Sequence, residues 1–314
     1  MKPSLLVLIP LDDDSRARIA ASFDASFDIL HAPTREARAD TIAARGAAIR
    51  AVLTNGTTGL TAGEIDQMPV LELVSALGAG YENIATEHAR ARGIVLANGA
   101  GTNDDCVADH ALALLLAVVR DVPQRDRATR DGIWRDVLPM RPCVSGKRLG
   151  VVGLGNIGLK IARRAAGFDI EVAYHNRKPR ESTALRYFDS LLDLARWSDY
   201  LVVATPGGAA THHLIDEAVL EALGTKGFLV NVSRGSVVDT AALAQALTDG
   251  VIAGAGLDVY EGEPQPPQAL LHLANVVLTP HVAGTSPESV AASVDHFIVN
   301  ATRHFAGEAV LTPI

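Results

Sequence analysis

The stretch VVGLGNIG, Val151–Gly158, decides how the second half of this 314-residue chain folds. Gly153, Gly155 and Gly158 form the pattern G-x-G-x-x-G between an apolar run that predicts a strand and a stretch that predicts a helix. The first glycine permits a tight turn, the second lets backbone approach a pyrophosphate, and the third lets helix and strand pack closely. The N–H groups that would meet the phosphates at the helix N-terminus are those of Asn156 and Ile157. The stretch therefore predicts a dinucleotide site.

The end of the next predicted strand indicates which dinucleotide binds. Sites that prefer NAD usually carry Asp or Glu there to hold the ribose hydroxyls, whereas this chain reads YHNRK over Tyr174–Lys178. Arg177 can grip a 2′-phosphate through two N–H donors. Lys178 or Arg180 would add positive charge, and Asn176 a hydrogen bond. We predict that NADP(H) is preferred over NAD(H), which stays available as a cofactor; the alternative is a solvated basic turn.

Three other segments each place one polar side chain at the end of an apolar run. They are VNVSRG (Val230–Gly235), GAGLDVYEGEP (Gly254–Pro264) and LTPHVAGTS (Leu278–Ser286). Their side chains are Arg234, Glu263 and His281. A guanidinium, a carboxylate and an imidazole beside a dinucleotide suit hydride exchange at a carbon next to a carboxylate.

Strands and helices alternate in two series along the chain, which predicts an α/β protein with two doubly wound parallel sheets. In the first series the predicted strands are Leu5–Ile9, Ala51–Thr54, Leu73–Ala76 and Ile94–Ala97. In the second they are Leu149–Gly153, Glu171–His175, Leu201–Ala204, Phe228–Val232, Gly254–Val259 and Val276–Leu278. The predicted helices include Thr34–Arg50, Asp104–Arg120 and Pro287–Phe305.

Composition excludes several classes of protein. With 48% hydrophobic and 20% charged residues the chain has the balance of a globular protein, and a net charge of −8 argues against nucleic acid or an anionic membrane as partner. The longest apolar run, Ala111–Val119, falls short of the ~18 residues of a membrane span. Cys106 and Cys143 are expected to be reduced thiols in a cytoplasmic protein. The histidines, His212 and His213 included, show no metal-site spacing, so no metal is predicted.

Taken together, these motifs resemble the D-2-hydroxyacid dehydrogenases, in particular the branch of glyoxylate/hydroxypyruvate reductases and hydroxyphenylpyruvate reductases. The resemblance runs along essentially the whole chain. Besides the segments above it is carried by ALGAGYENI (Ala76–Ile84), TNDDCVADHALALLLA (Thr102–Ala117), GIW (Gly132–Trp134) and SGKRLGVVGLGNIG (Ser145–Gly158). It implies a Rossmann NAD(P)-binding domain over residues 101–282, inserted in a flavodoxin-like substrate domain that comprises residues 1–100 and a C-terminal helix within 283–314.

The resemblance also implies roles for the polar side chains. Arg234 would bind the substrate carboxylate and polarise the keto oxygen, and His281 would donate the proton. Glu263 matches the acid that pairs with this histidine and keeps it charged. Glu261 is a nearby competitor for that pairing. Asp258 matches a residue that contacts the nicotinamide carboxamide.

Further binding residues follow from the same resemblance. The loop that includes Ala79 and Gly80 would offer backbone N–H groups to the substrate carboxylate, for which small residues are needed. Additional cofactor contacts would fall on Thr205, Val232 and Ser233. The segment Trp134–Met140 resembles a region that lines the pocket, sometimes from a partner subunit. The resemblance also implies a homodimer, formed through the cofactor domain.

The sequence thus predicts reduction of small 2-oxo acids, such as glyoxylate or hydroxypyruvate, to D-2-hydroxy acids. One alternative is another enzyme of the same fold, acting on hydroxyphenylpyruvate, 2-ketogluconate or phosphoglycerate. A second alternative, of a different class, is a binding protein that senses nicotinamide cofactors.

Overall fold

The computed structural model describes residues 2–314. The strands are β1 Ser4–Val7, β2 Asp28–His31, β3 Ile49–Thr54, β4 Leu73–Ala76, β5 Val95–Ala97, β6 Arg148–Val152, β7 Glu171–His175, β8 Arg186–Tyr187, β9 Tyr200–Val203, β10 Phe228–Asn231, β11 Gly254–Leu257 and β12 Val276–Leu278. The helices are α1 Asp13–Phe23, α2 Arg35–Arg45, α3 Ala62–Asp66, α4 Thr86–Ala91, α5 Asp104–Arg120, α6 Val122–Arg130, α7 Asn156–Ala166, α8 Leu191–Trp197, α9 Glu217–Leu223, α10 Thr240–Thr248 and α11 Pro287–Phe305.

One compact unit consists of the chain up to Asn103 together with Gly284–Ile314. Its strands pair in parallel in the order β2-β1-β3-β4-β5, which is the flavodoxin-like order. Ile19 of α1 and Phe297 of α11 belong to the hydrophobic core on one face of this sheet. Ile42 of α2 belongs to the core on the other face. Because both faces are covered, the central strands β1, β3 and β4 are apolar and largely buried.

The second compact unit is Asp104–Ala283. Its strands also pair in parallel, in the order β12-β11-β10-β9-β6-β7-β8. The chain runs outward from β6 to β8 and returns on the other side of β6 at β9, so the strand order reverses there, as in Rossmann sheets. Helices α5 and α7 cover one face, and α8, α9 and α10 cover the other. Ligands of such sheets bind beyond the carboxyl strand ends at the reversal, where the glycine-rich turn follows β6.

The predicted fold class, α/β with two doubly wound parallel sheets, is confirmed. Helices α5 and α11 have the predicted bounds. The helix predicted over residues 34–50 was too long: α2 ends at Arg45, a short 3-10 turn follows over Gly46–Ala48, and β3 begins at Ile49. Two strands escaped prediction. The edge strand β2 is only partly buried and so lacks a continuous apolar run, and β8 has two residues.

Within residues 2–314, none of the helices combines the length and apolar character needed to cross a membrane.

Candidate active site

The glycine-rich turn after β6 packs backbone against backbone. Gly153 has φ +97°, and a Cβ there would lie 2.8 Å from the Ala204 carbonyl. A Cβ on Gly158 would lie 2.3 Å from the Gly153 oxygen. Gly155, by contrast, has open space where its Cβ would be, and α7 begins at the next residue. The turn is therefore closely packed at Gly153 and Gly158 and open at Gly155, which fits a pyrophosphate at the N-terminus of α7.

A buried hydroxyl lies next to this turn. The side chain of Thr205 touches the Cβ position of Gly153, and its Oγ1 is buried with no hydrogen-bond partner among residues 2–314. A buried polar atom of this kind is costly unless a ligand satisfies it, so its position fits a bound dinucleotide. The Asn156 side chain hydrogen-bonds Asp104, a carboxyl whose pKa burial raises. The backbone N–H of Asn156, at the first residue of α7, is separate from this bond.

The basic segment after β7 is fastened to the same turn. Oδ1 of Asn176 accepts a hydrogen bond from the Leu154 N–H at 2.7 Å, and the Arg180 guanidinium donates to the Leu154 carbonyl at 3.1 Å. Arg177 and Lys178 lie between these two anchors and are exposed. The sequence predicted a charge from Lys178 or Arg180 without distinguishing them, and only the fold shows that Arg180 is the anchored one.

Asn231, at the end of β10, organises the turn that carries Arg234. Its Oδ1 accepts hydrogen bonds from the N–H and hydroxyl of Ser233 at 3.0 and 2.7 Å, and its Nδ2 donates to the Arg234 carbonyl at 3.0 Å. The Arg234 guanidinium donates to the Ser233 carbonyl at 2.6 Å. Val232 and Ser233 are buried. Asn231 was missed as a site residue, although it stands inside the quoted VNVSRG motif.

His281 and Glu263 extend from neighbouring strand ends. Glu263 lies in the turn after β11 and His281 follows β12, and these two strands pair in parallel. Nδ1 of His281 lies 2.6 Å from Oε2 of Glu263. The other carboxylate oxygen, Oε1, accepts a hydrogen bond from the backbone N–H of Tyr260 at 2.7 Å. Both oxygens of Glu263 are thus used to fix the carboxylate and, through it, the imidazole.

This pairing changes the protonation of both groups. The hydrogen bond to Glu263 raises the pKa of His281 above its ordinary 6.5, although burial and the nearby charge of Arg234 oppose the rise. Burial disfavours ionised Glu263, but the hydrogen bonds from His281 and Tyr260 outweigh burial and lower the pKa of that carboxyl. Since the charge of Arg234 acts on both partners, the guanidinium, imidazole and carboxylate share one electrostatic environment.

Glu261 pairs with a different histidine. Its Oε1 lies 2.8 Å from Nε2 of His213, whose Nδ1 lies 3.5 Å from Asp239, and the hydrogen bond to Glu261 raises the pKa of His213. Of the two acids weighed for His281, the structure therefore selects Glu263. His212, His213 and Glu261 also bring three potential metal-ligand atoms within 4.8 Å of one another. Spacing along the chain did not indicate this group, because Glu261 is 48 residues from His213.

Asp258 is buried beneath the loop that carries His281. Its Oδ1 accepts hydrogen bonds from the Thr279 hydroxyl at 2.6 Å and the Val282 N–H at 2.9 Å, and its Oδ2 accepts from the Ala283 N–H at 2.8 Å. The side chain is 1% exposed. The carboxylate therefore fastens this loop, and a nicotinamide carboxamide would have to use the acceptor capacity left on Oδ2.

The predicted substrate loop lies in the other compact unit. Ala79 and Gly80 follow β4 and are partly buried. All the other predicted site residues, the cofactor contacts included, belong to Asp104–Ala283.

Comparison with known proteins decides which family this site belongs to. A family model described as "D-isomer specific 2-hydroxyacid dehydrogenase, NAD binding domain" matches residues 112–283. Hydroxyphenylpyruvate reductase of Plectranthus scutellarioides is 39% identical over 292 residues, which cover 93% of this chain and 93% of that protein. The chain belongs to the D-isomer-specific 2-hydroxyacid dehydrogenases. The predicted resemblance is confirmed.

Two further relatives of this dehydrogenase are named for other acids. The 2-ketogluconate reductase of Gluconobacter oxydans is 38% identical, with 100% of this chain and 99% of that protein covered. The crystal structure of the NADPH-dependent glyoxylate/hydroxypyruvate reductase of Sinorhizobium meliloti, in complex with NADP and malonate, superposes with a TM-score of 0.91 at 38% identity. That match covers 100% of this chain and 97% of the other.

The D-isomer-specific 2-hydroxyacid dehydrogenases are nicotinamide-dependent oxidoreductases of CH–OH donors, and this chain is one of them. Its glycine-rich turn, the orphaned Thr205 hydroxyl and the start of α7 fit the nicotinamide dinucleotide. Hydride chemistry at a carbonyl requires a proton donor and a positive charge, and a protonated imidazole and a guanidinium are groups that can provide them.

Proposed function

We propose that this dehydrogenase reduces small 2-oxo acids with NADPH, glyoxylate and hydroxypyruvate among them, and that the chiral products are D-2-hydroxy acids. The observation that carries the proposal is the 2.6 Å hydrogen bond between His281 and Glu263, which raises the pKa of the imidazole and so favours its protonated form. A reductase of keto acids needs such a charged donor, because negative charge grows on the keto oxygen as hydride arrives at C2.

The reduced nicotinamide, when bound, supplies the hydride. Nδ1 of His281 is engaged by Glu263, so Nε2 is the nitrogen that donates the proton to the keto oxygen. Arg234 binds the substrate carboxylate and polarises the neighbouring carbonyl, since its planar guanidinium can donate to both oxygens. The N–H groups of Ala79 and Gly80 are assigned to the substrate carboxylate.

The preference for NADPH is supported by the segment after β7. Arg177 is exposed next to two anchored residues, Asn176 and Arg180, and no acid stands at this strand end. An arginine can hold a 2′-phosphate, whereas an acid would repel it. That a similar protein from Sinorhizobium meliloti is NADPH-dependent favours the same choice here.

A homodimer in the cytoplasm completes the proposal. Trp134, Val137 and Met140 are 68%, 77% and 99% exposed, an apolar surface of the kind that partner subunits cover. Cys106 and Cys143 are unpaired, which suits a reducing compartment.

A turnover panel tests the substrate. Purified protein is given NADPH or NADH with glyoxylate, hydroxypyruvate, hydroxyphenylpyruvate or 2-ketogluconate, and the configuration of each chiral product is determined. We expect the highest kcat/KM with glyoxylate or hydroxypyruvate and NADPH, and D products. A clear preference for hydroxyphenylpyruvate or 2-ketogluconate would replace the substrate proposed. Tight NADPH binding with no turnover of any acid would favour a cofactor sensor.

A further inference from the structure

The loop after β4 is held from one side by two hydrogen bonds to its carbonyl groups. The Gly78 carbonyl accepts a hydrogen bond from the Gly99 N–H at 2.9 Å. The Ala79 carbonyl accepts one from the side-chain amide of Asn98 at 2.8 Å. Two successive peptide groups are thus oriented by donors from Asn98 and Gly99, which follow β5.

The orientation of the carbonyls fixes the orientation of the N–H groups. A trans peptide is planar, so the N–H of each peptide points away from its carbonyl. The N–H groups of Ala79 and Gly80 belong to the two peptides whose carbonyls are held, and both therefore point away from Asn98 and Gly99. Within residues 2–314, neither N–H donates to another group of the protein. Successive N–H groups that point the same way form a site for an anion such as a carboxylate.

Asn98 is itself fixed by the C-terminal segment. It is only 9% exposed. Its N–H donates to the Thr312 carbonyl at 3.1 Å, and its carbonyl accepts a hydrogen bond from the Thr312 hydroxyl. Its Oδ1 accepts from the Ala100 N–H at 3.2 Å, which leaves the Nδ2 group directed at Ala79. Thr312 is held in turn by His296 of α11, whose Nε2 lies 2.8 Å from the hydroxyl.

The residue after Asn98 packs closely against the chain that leads into the loop. A Cβ on Gly99 would lie 2.1 Å from the Leu77 carbonyl oxygen, so the two backbones are already in contact. Asn98 therefore connects the C-terminal segment to the loop, and its side chain is suited to this because one amide offers both a donor and an acceptor.

We propose that Asn98 is a positioning residue for substrate: it sets the Ala79–Gly80 peptide so that its N–H meets the substrate carboxylate. This inference rests on the proposed function, in which the N–H groups of Ala79 and Gly80 bind that carboxylate. Asn98 acts only through the loop. Its loss should therefore weaken substrate binding, while the proton-donating pair His281–Glu263 and the cofactor turn stay unchanged.

Asn98→Ala and Asn98→Asp test the proposal with Asn83→Ala as a matched control. The aspartate keeps the shape of the side chain but turns a donor into an acceptor that faces the Ala79 carbonyl. Asn83 lies farther along the same connection and makes a similar bond, from its Nδ2 to the Thr57 carbonyl at 3.0 Å, but it does not bond to the Gly78 or Ala79 carbonyl. Thr312→Val, which removes one anchor of Asn98, serves as a milder variant if the others fail to fold.

With glyoxylate and NADPH we expect the KM for glyoxylate to rise about tenfold in Asn98→Ala and more in Asn98→Asp, with kcat within about threefold. The KM for NADPH should not change, and Asn83→Ala should behave as wild type. Thr312→Val should shift the glyoxylate KM in the same direction by less. Amide hydrogen exchange over residues 78–80 should quicken in Asn98→Ala but not in Asn83→Ala, a readout that needs no turnover.

An Asn98→Ala enzyme with an unchanged KM for glyoxylate and unchanged exchange in the loop would overturn the inference. So would equal losses in kcat and in the KM for NADPH, since these indicate a general structural role. Failure of the proposed function would look different, because the wild-type protein itself would then reduce none of the acids.

Discussion

At the scale of single residues, the backbone of His281 is strained. It has φ +53°, a conformation that residues other than glycine rarely adopt. The Asp258 carbonyl accepts the His281 N–H at 2.8 Å, and the Asp258 carboxylate accepts the next two N–H groups, those of Val282 and Ala283. One buried residue, Asp258, therefore holds His281 in a conformation that costs roughly 1–3 kcal/mol. Strain of this size is consistent with the proposed role of His281, in which the imidazole must be oriented toward the keto oxygen.

Thr279 also helps Asp258 to hold the loop that carries His281. A valine at this position has nearly the same shape as threonine but lacks the hydroxyl. An ionised carboxylate only accepts, so the hydroxyl donates to Asp258 and in turn accepts from Nε2 of His110 at 2.9 Å. We expect Thr279→Val to lower the free energy of unfolding by about 1–3 kcal/mol, because it leaves His110 without this acceptor. It should also reduce kcat, since the loop of His281 loosens. Urea denaturation and steady-state kinetics measure both effects.

Thr279→Ser is the matched control, because it keeps the hydroxyl and loses only a methyl group. It should retain most of the wild-type kcat. If the valine and serine enzymes have equal kcat and stability, the hydroxyl has no part in positioning His281.

At the scale of elements, the β7–β8 connection carries the residues on which the proposed preference for NADPH depends. Its first residue, Asn176, accepts a hydrogen bond from the Leu154 N–H of the glycine-rich turn, and the anchored Arg180 donates one to the Leu154 carbonyl. The intervening Arg177 is therefore presented beside the cofactor turn, and its own side chain remains exposed to solvent. Such a presentation suits a phosphate that arrives with the cofactor.

Arg177→Ala should raise the KM for NADPH about 10- to 100-fold, the loss expected for charge-assisted hydrogen bonds to phosphate. The KM for NADH should stay within about twofold, because NADH has no 2′-phosphate. Steady-state titration of each cofactor at saturating glyoxylate measures the difference. Arg163→Ala, which removes an exposed arginine of α7, is the control. Equal rises for both cofactors would remove Arg177 from the phosphate site.

The same elements show how far a sequence predicts this structure. Buried strands such as β4 and β7 were predicted with their observed bounds, because parallel strands covered on both faces are continuous apolar runs. The half-exposed β2 has no such run. Within the site, the motif favoured Glu263 over Glu261 as the partner of His281, but Glu261 acquires its own partner, His213, only through the fold. Long-range pairs of this kind leave no local pattern.

At the scale of the whole molecule, several apolar residues between α6 and β6 are exposed to solvent, as residues of a subunit interface are in an isolated protomer. Val137 and Met140 are the most exposed of them. Burial of side chains of this size in an interface contributes on the order of 1–3 kcal/mol each. We propose that these residues are buried in the interface of a homodimer.

The double substitution Val137→Ser with Met140→Ser should weaken self-association by at least about tenfold in Kd, because it removes apolar surface from the interface. Sedimentation equilibrium measures the constant. Val70→Ser, at an exposed valine of the other compact unit, should leave it unchanged. A wild-type protein that sediments as a monomer, or a control with the same effect, would contradict the dimer proposed.

The pH profile of glyoxylate reduction in wild type and Glu263→Gln tests most directly that Glu263 keeps His281 charged. Reduction consumes a proton from the imidazolium, so activity is present below the pKa of His281 and is lost as pH rises through it. Because the bond to Glu263 raises that pKa, the wild-type decline should lie above the ordinary 6.5. In Glu263→Gln the decline should move to lower pH, with kcat at neutral pH reduced. A Glu263→Gln profile that overlays the wild-type curve would contradict the account.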